Sequence, residues 1–85
     1  MITVRIRTFA MLREITGSGA SGAFEMSLPD GSTVDALVDK LVVAYPALEQ
    51  WKPHVRCAVN NEYTSGTHVL RNNDEAAFIP PVSGG

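Results

Sequence analysis

Apolar and polar residues alternate in several short stretches of the chain, and this spacing predicts strands. In residues 2–6, Ile or Val alternates with Thr and Arg, so one face of a first strand should be buried and the other exposed to solvent. The same alternation predicts strands over 24–28, 55–59 and 75–79, and a shorter strand is expected over 67–70. Polar turn residues separate these stretches, at Asn60-Asn61 and at Asn72-Asn73.

One longer stretch has helical spacing. Its apolar residues fall at i, i+3, i+4, i+7, i+8 and i+11, which is the pattern of an amphipathic helix. They are Val34, Leu37, Val38, Leu41, Val42 and Tyr45. Ser32 or Thr33 can cap the helix start, and Pro46 should end the helix nearby. Residues 10–15 predict a short helical turn that Gly17 would stop.

The order of these elements is strand, strand, helix and then further strands. It predicts a single α+β domain over 1–85, with the helix packed on one face of a mixed sheet. The ubiquitin-like β-grasp has this order, and in it the first and last strands lie side by side and parallel. Residues 79–85 are then expected to form an extended, flexible tail.

Size and charge narrow the class of protein. A chain of 85 residues has room for a sheet and one helix, which favours a carrier or binding module over an enzyme that is catalytic alone. The formal net charge of −2, without a basic run, argues against a nucleic-acid or membrane-surface partner. One cysteine and no apolar leader favour a reducing cytoplasm.

Three features that resemble functional sites are better explained as a loop or as residues that stabilise the core. The glycines of 17–22 match a dinucleotide-binding motif, but a strand rather than a helix follows them, so a loop is expected. Cys57 shares its strand face with Val55 and Val59 and should be core, although His54 and His68 are nearby in sequence. These residues have no recognisable zinc spacing. Trp51 is expected to close the core rather than to anchor a partner.

The end of the chain carries the strongest functional signal. Pro80 and Pro81 cannot continue a strand ladder and favour an extended exit of the chain. Gly84 and Gly85 have no Cβ, so the terminal carboxylate can enter a slot too narrow for other residues. Six residues from Pro80 reach at most about 20 Å. Such an arm suits a carrier whose C-terminus is activated inside another enzyme.

Four segments resemble the small, sulfur-carrying subunits of molybdopterin synthase, a branch of the ubiquitin-like sulfur carriers. The segments are 8–14 (TFAMLRE), 30–34 (DGSTV), 59–60 (VN) and 73–85 (NDEAAFIPPVSGG). A terminal Gly-Gly is shared by several carriers, whereas Pro-Pro-Val-x-Gly-Gly is specific to this branch. Asn73 stands where the family commonly has glycine, and Ile79 where it often has an aromatic residue.

The resemblance implies a function for each part of the tail. Gly85 would be the reacting residue, adenylated with ATP by a ubiquitin-activating-like enzyme and then converted to a thiocarboxylate by a sulfur donor. Pro80, Pro81, Val82, Ser83 and Gly84 would fill a channel in the large synthase subunit, where the sulfur passes to cyclic pyranopterin monophosphate. No metal or permanently bound cofactor is implied. Phe9, Arg13 and Ile79 are the surface residues expected to contact partners.

Other functions stay open at this point. The chain could carry sulfur for thiamine or another metabolite, modify lysines as ubiquitin does, or be a β-grasp interaction domain with an inert tail. The sequence also leaves open whether the chain acts as a free monomer or in a heterotetramer.

Overall fold

Two strands that are far apart in sequence lie together at the centre of the sheet. The computed structural model describes residues 1–9, 11–16 and 23–79, and in these the sheet order is β2-β1-β5-β3-β4. The strands are β1 (Ile2–Thr8), β2 (Ala23–Leu28), β3 (Arg56–Val59), β4 (Glu62–Tyr63) and β5 (Glu75–Ile79). β1 and β5 are parallel, and the other pairs are antiparallel. The predicted ubiquitin-like β-grasp fold is confirmed.

The main helix covers one face of this sheet. Helix α2 (Val34–Ala44) begins where the Thr33 hydroxyl accepts a hydrogen bond from the Ala36 amide at 3.2 Å. Its buried residues, Val34, Leu37 and Leu41, belong to one hydrophobic core with the inward side chains of the sheet. A shorter helix, α1 (Met11–Thr16), follows β1 and contributes the buried Leu12. Both helices confirm the sequence prediction.

A 3₁₀ helix, Pro46–His54, was not predicted from the sequence. Pro46 is accommodated in its first turn, where a missing amide costs no hydrogen bond. None of its residues is fully buried, but Leu48 and Trp51 pack against the core from this segment. This placement supports the structural interpretation of Trp51.

The strand expected over 67–70 is wrong. The structure has only an isolated bridge there, between Val69 and Thr33. The backbone instead bonds to the start of α2: the Val34 amide donates to the His68 carbonyl at 3.0 Å, and the Leu70 amide donates to the Ser32 carbonyl at 2.8 Å. The segment therefore serves to hold the helix entry and to bury Leu70.

Both predicted Asn turns are present. Asn60, Asn61 and Asn73 have φ of 51°, 71° and 70°, the left-handed conformation that asparagine tolerates. The side chain of Asn60 also accepts a hydrogen bond from the Glu75 amide at 3.0 Å and donates to Asp74 at 2.9 Å. The turn that follows β3 is therefore hydrogen-bonded to the start of β5. The predicted loop over 17–22 lies outside the described residues.

Candidate functional site

The residues predicted to carry the function follow directly after β5. Ile79 is the last described residue, and the predicted reacting residue and arm, 80–85, lie outside the described part of the chain. Ile79 lies opposite Arg56 of β3, and Phe78 lies opposite Cys57. Phe78 is only 5% exposed and belongs to the core, as predicted. The sheet therefore fixes the residue from which the tail starts.

Phe9 lies on the β1 side of this exit. In the parallel pair, Arg7 is opposite Ala77 and Thr8 is opposite Phe78. Continued by one residue, this register brings Phe9 beside Ile79, and the alternation of side chains directs both away from α2. The Arg7 guanidinium carbon is 5.5 Å from the centre of the Phe9 ring, and Arg7 also forms a 3.4 Å ion pair with Glu75.

A second arginine–aromatic pair lies on the β3 side of the exit. The Arg56 guanidinium carbon is 4.6 Å from the ring centre of Tyr63, a cation–π geometry. Tyr63 is 61% exposed, which is high for a large aromatic side chain. We call the surface formed by Arg7, Phe9, Arg56, Tyr63 and Ile79 the tail-exit face.

Sequence reasoning identified only part of this face. The alternation of apolar and polar residues predicted that Phe9 and Ile79 face outward and that Arg7 is exposed to solvent. Arg56 also alternates with buried neighbours, but its partner Tyr63 lies on β4, which has two residues and therefore no detectable period. Arg13 was also predicted to contact partners; it lies in α1, and its side chain is outside the described part of the structure.

The tail-exit face is suited to protein recognition. Aromatic rings and arginines are enriched in interfaces, because they bury a large area and still offer directional polar contacts. Ile79 is only half-buried, so part of its apolar side chain is available to a partner. The face includes Ile79, the last described residue, so a protein bound to it would lie beside the end of the described chain.

Cys57 offers no alternative site for sulfur. It is the chain's only cysteine, and its side chain packs in the hydrophobic core. Burial raises the pKa of its thiol from 9.0 to about 11. The thiolate is the nucleophilic form of cysteine, so this shift disfavours attack by Cys57 at neutral pH.

Neither a metal site nor a membrane-spanning helix is found among the described residues. Over 1–9, 11–16 and 23–79, no three His, Cys, Asp or Glu side chains are grouped so that they could hold a metal ion. Within the same ranges, no helix has the length and apolar character needed to cross a membrane.

Comparison with protein families gives a match over almost the whole chain. The profile of the ThiS family matches residues 6–85, which includes the tail. A molybdopterin synthase sulfur carrier subunit of Arabidopsis thaliana is 37% identical over 84 residues, covering 99% of this chain and 84% of the relative. The protein of the same name from Mycobacterium tuberculosis is 36% identical, with all of both chains covered.

Solved structures show the same fold. A Pyrococcus furiosus protein aligns with a TM-score of 0.85 at 24% identity, covering 96% of this chain and 100% of that one. Small archaeal modifier protein 1 of Haloferax volcanii, SAMP1, aligns at 0.82 with 30% identity, covering 98% and 99%. Subunits 1 and 2 of the Helicobacter pylori molybdopterin-converting factor were solved as a complex; the matched chain has a TM-score of 0.67 and 20% identity, with 99% and 100% covered.

Proposed function

The chain belongs to the ThiS family, and from that premise we propose that it is the sulfur carrier subunit of a molybdopterin synthase, with the Gly85 carboxylate as the sulfur-carrying group. The observation that carries the proposal is the family match, which extends through Gly84 and Gly85. Sulfur can be held by a protein as a cysteine persulfide or as a thiocarboxylate at a terminal carboxylate. We assign the sulfur to the carboxylate because burial raises the pKa of the Cys57 thiol to about 11 and so disfavours its nucleophilic form.

Loading requires activation of the carboxylate. A carboxylate is a poor electrophile, because its negative charge and resonance oppose attack. Transfer of AMP from ATP to a Gly85 oxygen releases pyrophosphate and gives an acyl-adenylate with a good leaving group. Hydrosulfide supplied by a sulfur donor then attacks the carbonyl carbon, the bond from that carbon to the AMP oxygen breaks, and loss of the S–H proton leaves Gly85 as a thiocarboxylate.

Delivery requires a partner that receives the tail. In the proposed synthase, a large subunit binds the tail-exit face and takes residues 80–85 into its channel. The thiocarboxylate sulfur is transferred to cyclic pyranopterin monophosphate, and water returns Gly85 to the carboxylate. Gly85 is consumed and regenerated as a substrate, so the chain itself supplies no acid or base. We propose that this cycle, which consumes ATP and reduced sulfur, runs in the cytoplasm.

The proposal is tested by reconstituting the transfer. The thiocarboxylated chain is mixed with the large synthase subunit of the same organism and cyclic pyranopterin monophosphate, and the dithiolene product is measured by chromatography after oxidation. Product that scales with the thiocarboxylated chain supports the proposal. If this mixture makes no product but a thiazole-forming system accepts the sulfur, the chain carries sulfur for thiamine instead.

A second function, protein modification, is favoured by the similarity to the Haloferax volcanii small archaeal modifier protein 1. The same acyl-adenylate would then react with a lysine amine and form an isopeptide bond at Gly85. Trypsin cuts this chain after Arg71, so a conjugated lysine would retain the fourteen residues 72–85. A search for that remnant on cellular proteins separates modification from sulfur transfer.

A further inference from the structure

Three arginines, Arg5, Arg7 and Arg56, lie on the face of the sheet that α2 leaves open, and they differ in the charges beside them. Arg5 is in register with Glu25 of β2 on one side and with Glu75 of β5 on the other. Residues in register on neighbouring strands are about 5 Å apart, so these carboxylates offset the charge of Arg5. The charge of Arg7 is offset by its 3.4 Å ion pair with Glu75.

Arg56 has no such compensation among the described residues. Its partner in register on β5 is the apolar Ile79, and it takes part in none of the ion pairs that these residues form. Its side chain is held in place by Tyr63, because the guanidinium carbon lies 4.6 Å from the centre of that ring. Stacking uses one face of the planar guanidinium and leaves the N–H groups at its edge to donate hydrogen bonds.

A partner that covers the tail-exit face has to compensate this charge. Arg56 belongs to that face and lies next to Ile79, the last described residue. Transfer of a guanidinium out of water is costly unless an opposite charge and hydrogen bonds replace the water. A carboxylate supplies both, since its two oxygens match two parallel N–H groups of an arginine.

We propose that the large synthase subunit has an Asp or Glu side chain that binds the edge of the Arg56 guanidinium, and that this ion pair selects the cognate large subunit. This inference rests on the proposed function. The chain's own terminal carboxylate is not the counter-ion in the complex, because the proposed transfer takes residues 80–85 into the partner's channel. A large subunit with a neutral or basic side chain at this position leaves Arg56 desolvated and uncompensated, and therefore binds more weakly.

The test is the dissociation constant of the full chain and the large synthase subunit of the same organism, measured by titration calorimetry. Arg56→Gln removes the charge and keeps a polar side chain, and it should raise the dissociation constant about tenfold or more. Arg56→Lys keeps the charge without the parallel N–H groups and should give a smaller increase. Arg5→Gln is the matched control, because Arg5 lies on the same open face with carboxylates in register, and it should change the dissociation constant less than about twofold.

An exchange of charges identifies the partner's carboxylate. Arg56 is exposed in the free chain, so its variants are expected to fold. Arg56→Glu should bind the unchanged large subunit at least about tenfold more weakly, because two carboxylates then face each other. Among large-subunit variants with a single Asp or Glu replaced by Arg, one should restore binding of Arg56→Glu and weaken binding of the wild-type chain. A purely structural effect of Arg56 would not be reversed in this way.

Three results would overturn the inference and leave the proposed function intact, because the wild-type complex would still form. They are equal dissociation constants for the wild type and Arg56→Gln, equal losses for Arg56→Gln and Arg5→Gln, and no restoration of Arg56→Glu by any of the large-subunit variants. Absence of a complex with the wild-type chain would contradict the inference and the proposed function together.

Discussion

Ile79 lies directly opposite Arg56 in the antiparallel pair of β5 and β3. Its neighbour Phe78 is paired in the same way with Cys57, on the other face of the sheet. Two consecutive residues of β5 therefore have separate functions, since Phe78 stabilises the core and Ile79 faces outward where the tail leaves. Substitutions at these two positions should have different consequences.

Phe78→Ala should destabilise the fold. Phe78 is 5% exposed in a close-packed core, and removal of such a ring leaves a cavity that costs roughly 3–5 kcal/mol of unfolding free energy. Ile79→Ala is the matched change one residue later and should cost clearly less, because Ile79 is only half-buried. Urea unfolding followed by circular dichroism measures both. Equal losses would contradict the assignment of the two faces.

Phe9→Ala combined with Ile79→Ala should weaken partner binding without unfolding the chain. Loss of two central apolar anchors commonly costs more than 1 kcal/mol each, so the dissociation constant of the complex with the large synthase subunit should rise about tenfold or more. Glu25→Ala, on the far edge strand, serves as the control for a distant surface. A double variant that is folded and binds the large subunit with unchanged affinity would remove these two residues from the interface.

Cys57 should resist alkylation in the native protein. With its pKa raised to about 11 by burial, little thiolate exists at pH 8, and iodoacetamide should react far more slowly than with the urea-unfolded chain. Cys57→Ala should still be loaded with sulfur. Loss of loading in a folded Cys57→Ala variant would contradict the thiocarboxylate account.

The same pKa shift predicts a dependence of stability on pH. The folded pKa, about 11, lies above the ordinary value of 9.0, so the folded state holds the thiol proton more tightly. The stability linked to this proton is therefore complete below pH 9 and is lost as pH rises toward 11, by at most about 2–3 kcal/mol. Unfolding free energies of the wild type and Cys57→Ala should converge over this range. A constant difference between them would exclude the shift.

Asn73 tests a departure from the family pattern. Its φ of 70° is left-handed, and its amide donates to the Thr3 carbonyl at 2.8 Å, so the turn holds β1. Asn73→Gly should preserve or slightly raise the unfolding free energy, whereas Asn73→Val should lower it by about 1–2 kcal/mol, because a branched Cβ opposes this conformation. Equal unfolding free energies for Asn73→Gly and Asn73→Val would show that residue 73 can leave the left-handed conformation without cost.

Strands and helices were predictable where the spacing of apolar residues repeats over many positions. The alternation over residues 2–6 and the helical spacing from Val34 to Tyr45 each repeat often enough to fix a period, and the structure confirms both. β4 has two residues and could not be recognised in this way. The 3₁₀ helix has no simple apolar period, and Val69 alternates like a strand residue although its segment bonds to the helix entry.

The candidate site also contains residues that the sequence predicted and residues that it did not. Strand parity predicted Phe9 and Ile79 on one face, and the structure confirms the parallel pairing of the terminal strands as far as Thr8 and Phe78. The Arg56–Tyr63 pair required knowledge of how β3 turns into β4, which depends on two consecutive left-handed asparagines.

The most direct test of the central claim is the mass of the C-terminal tryptic peptide, residues 72–85, after incubation with the adenylating enzyme, ATP and a sulfur source. This peptide contains neither Met nor Cys, so exchange of sulfur for oxygen is not confused with oxidation of those residues. A chain extended by one alanine after Gly85 is the matched control. The account predicts a sulfur-for-oxygen mass shift confined to Gly85 and absent from the extended chain. An unchanged peptide, while a carrier of known activity loads in parallel, would contradict it.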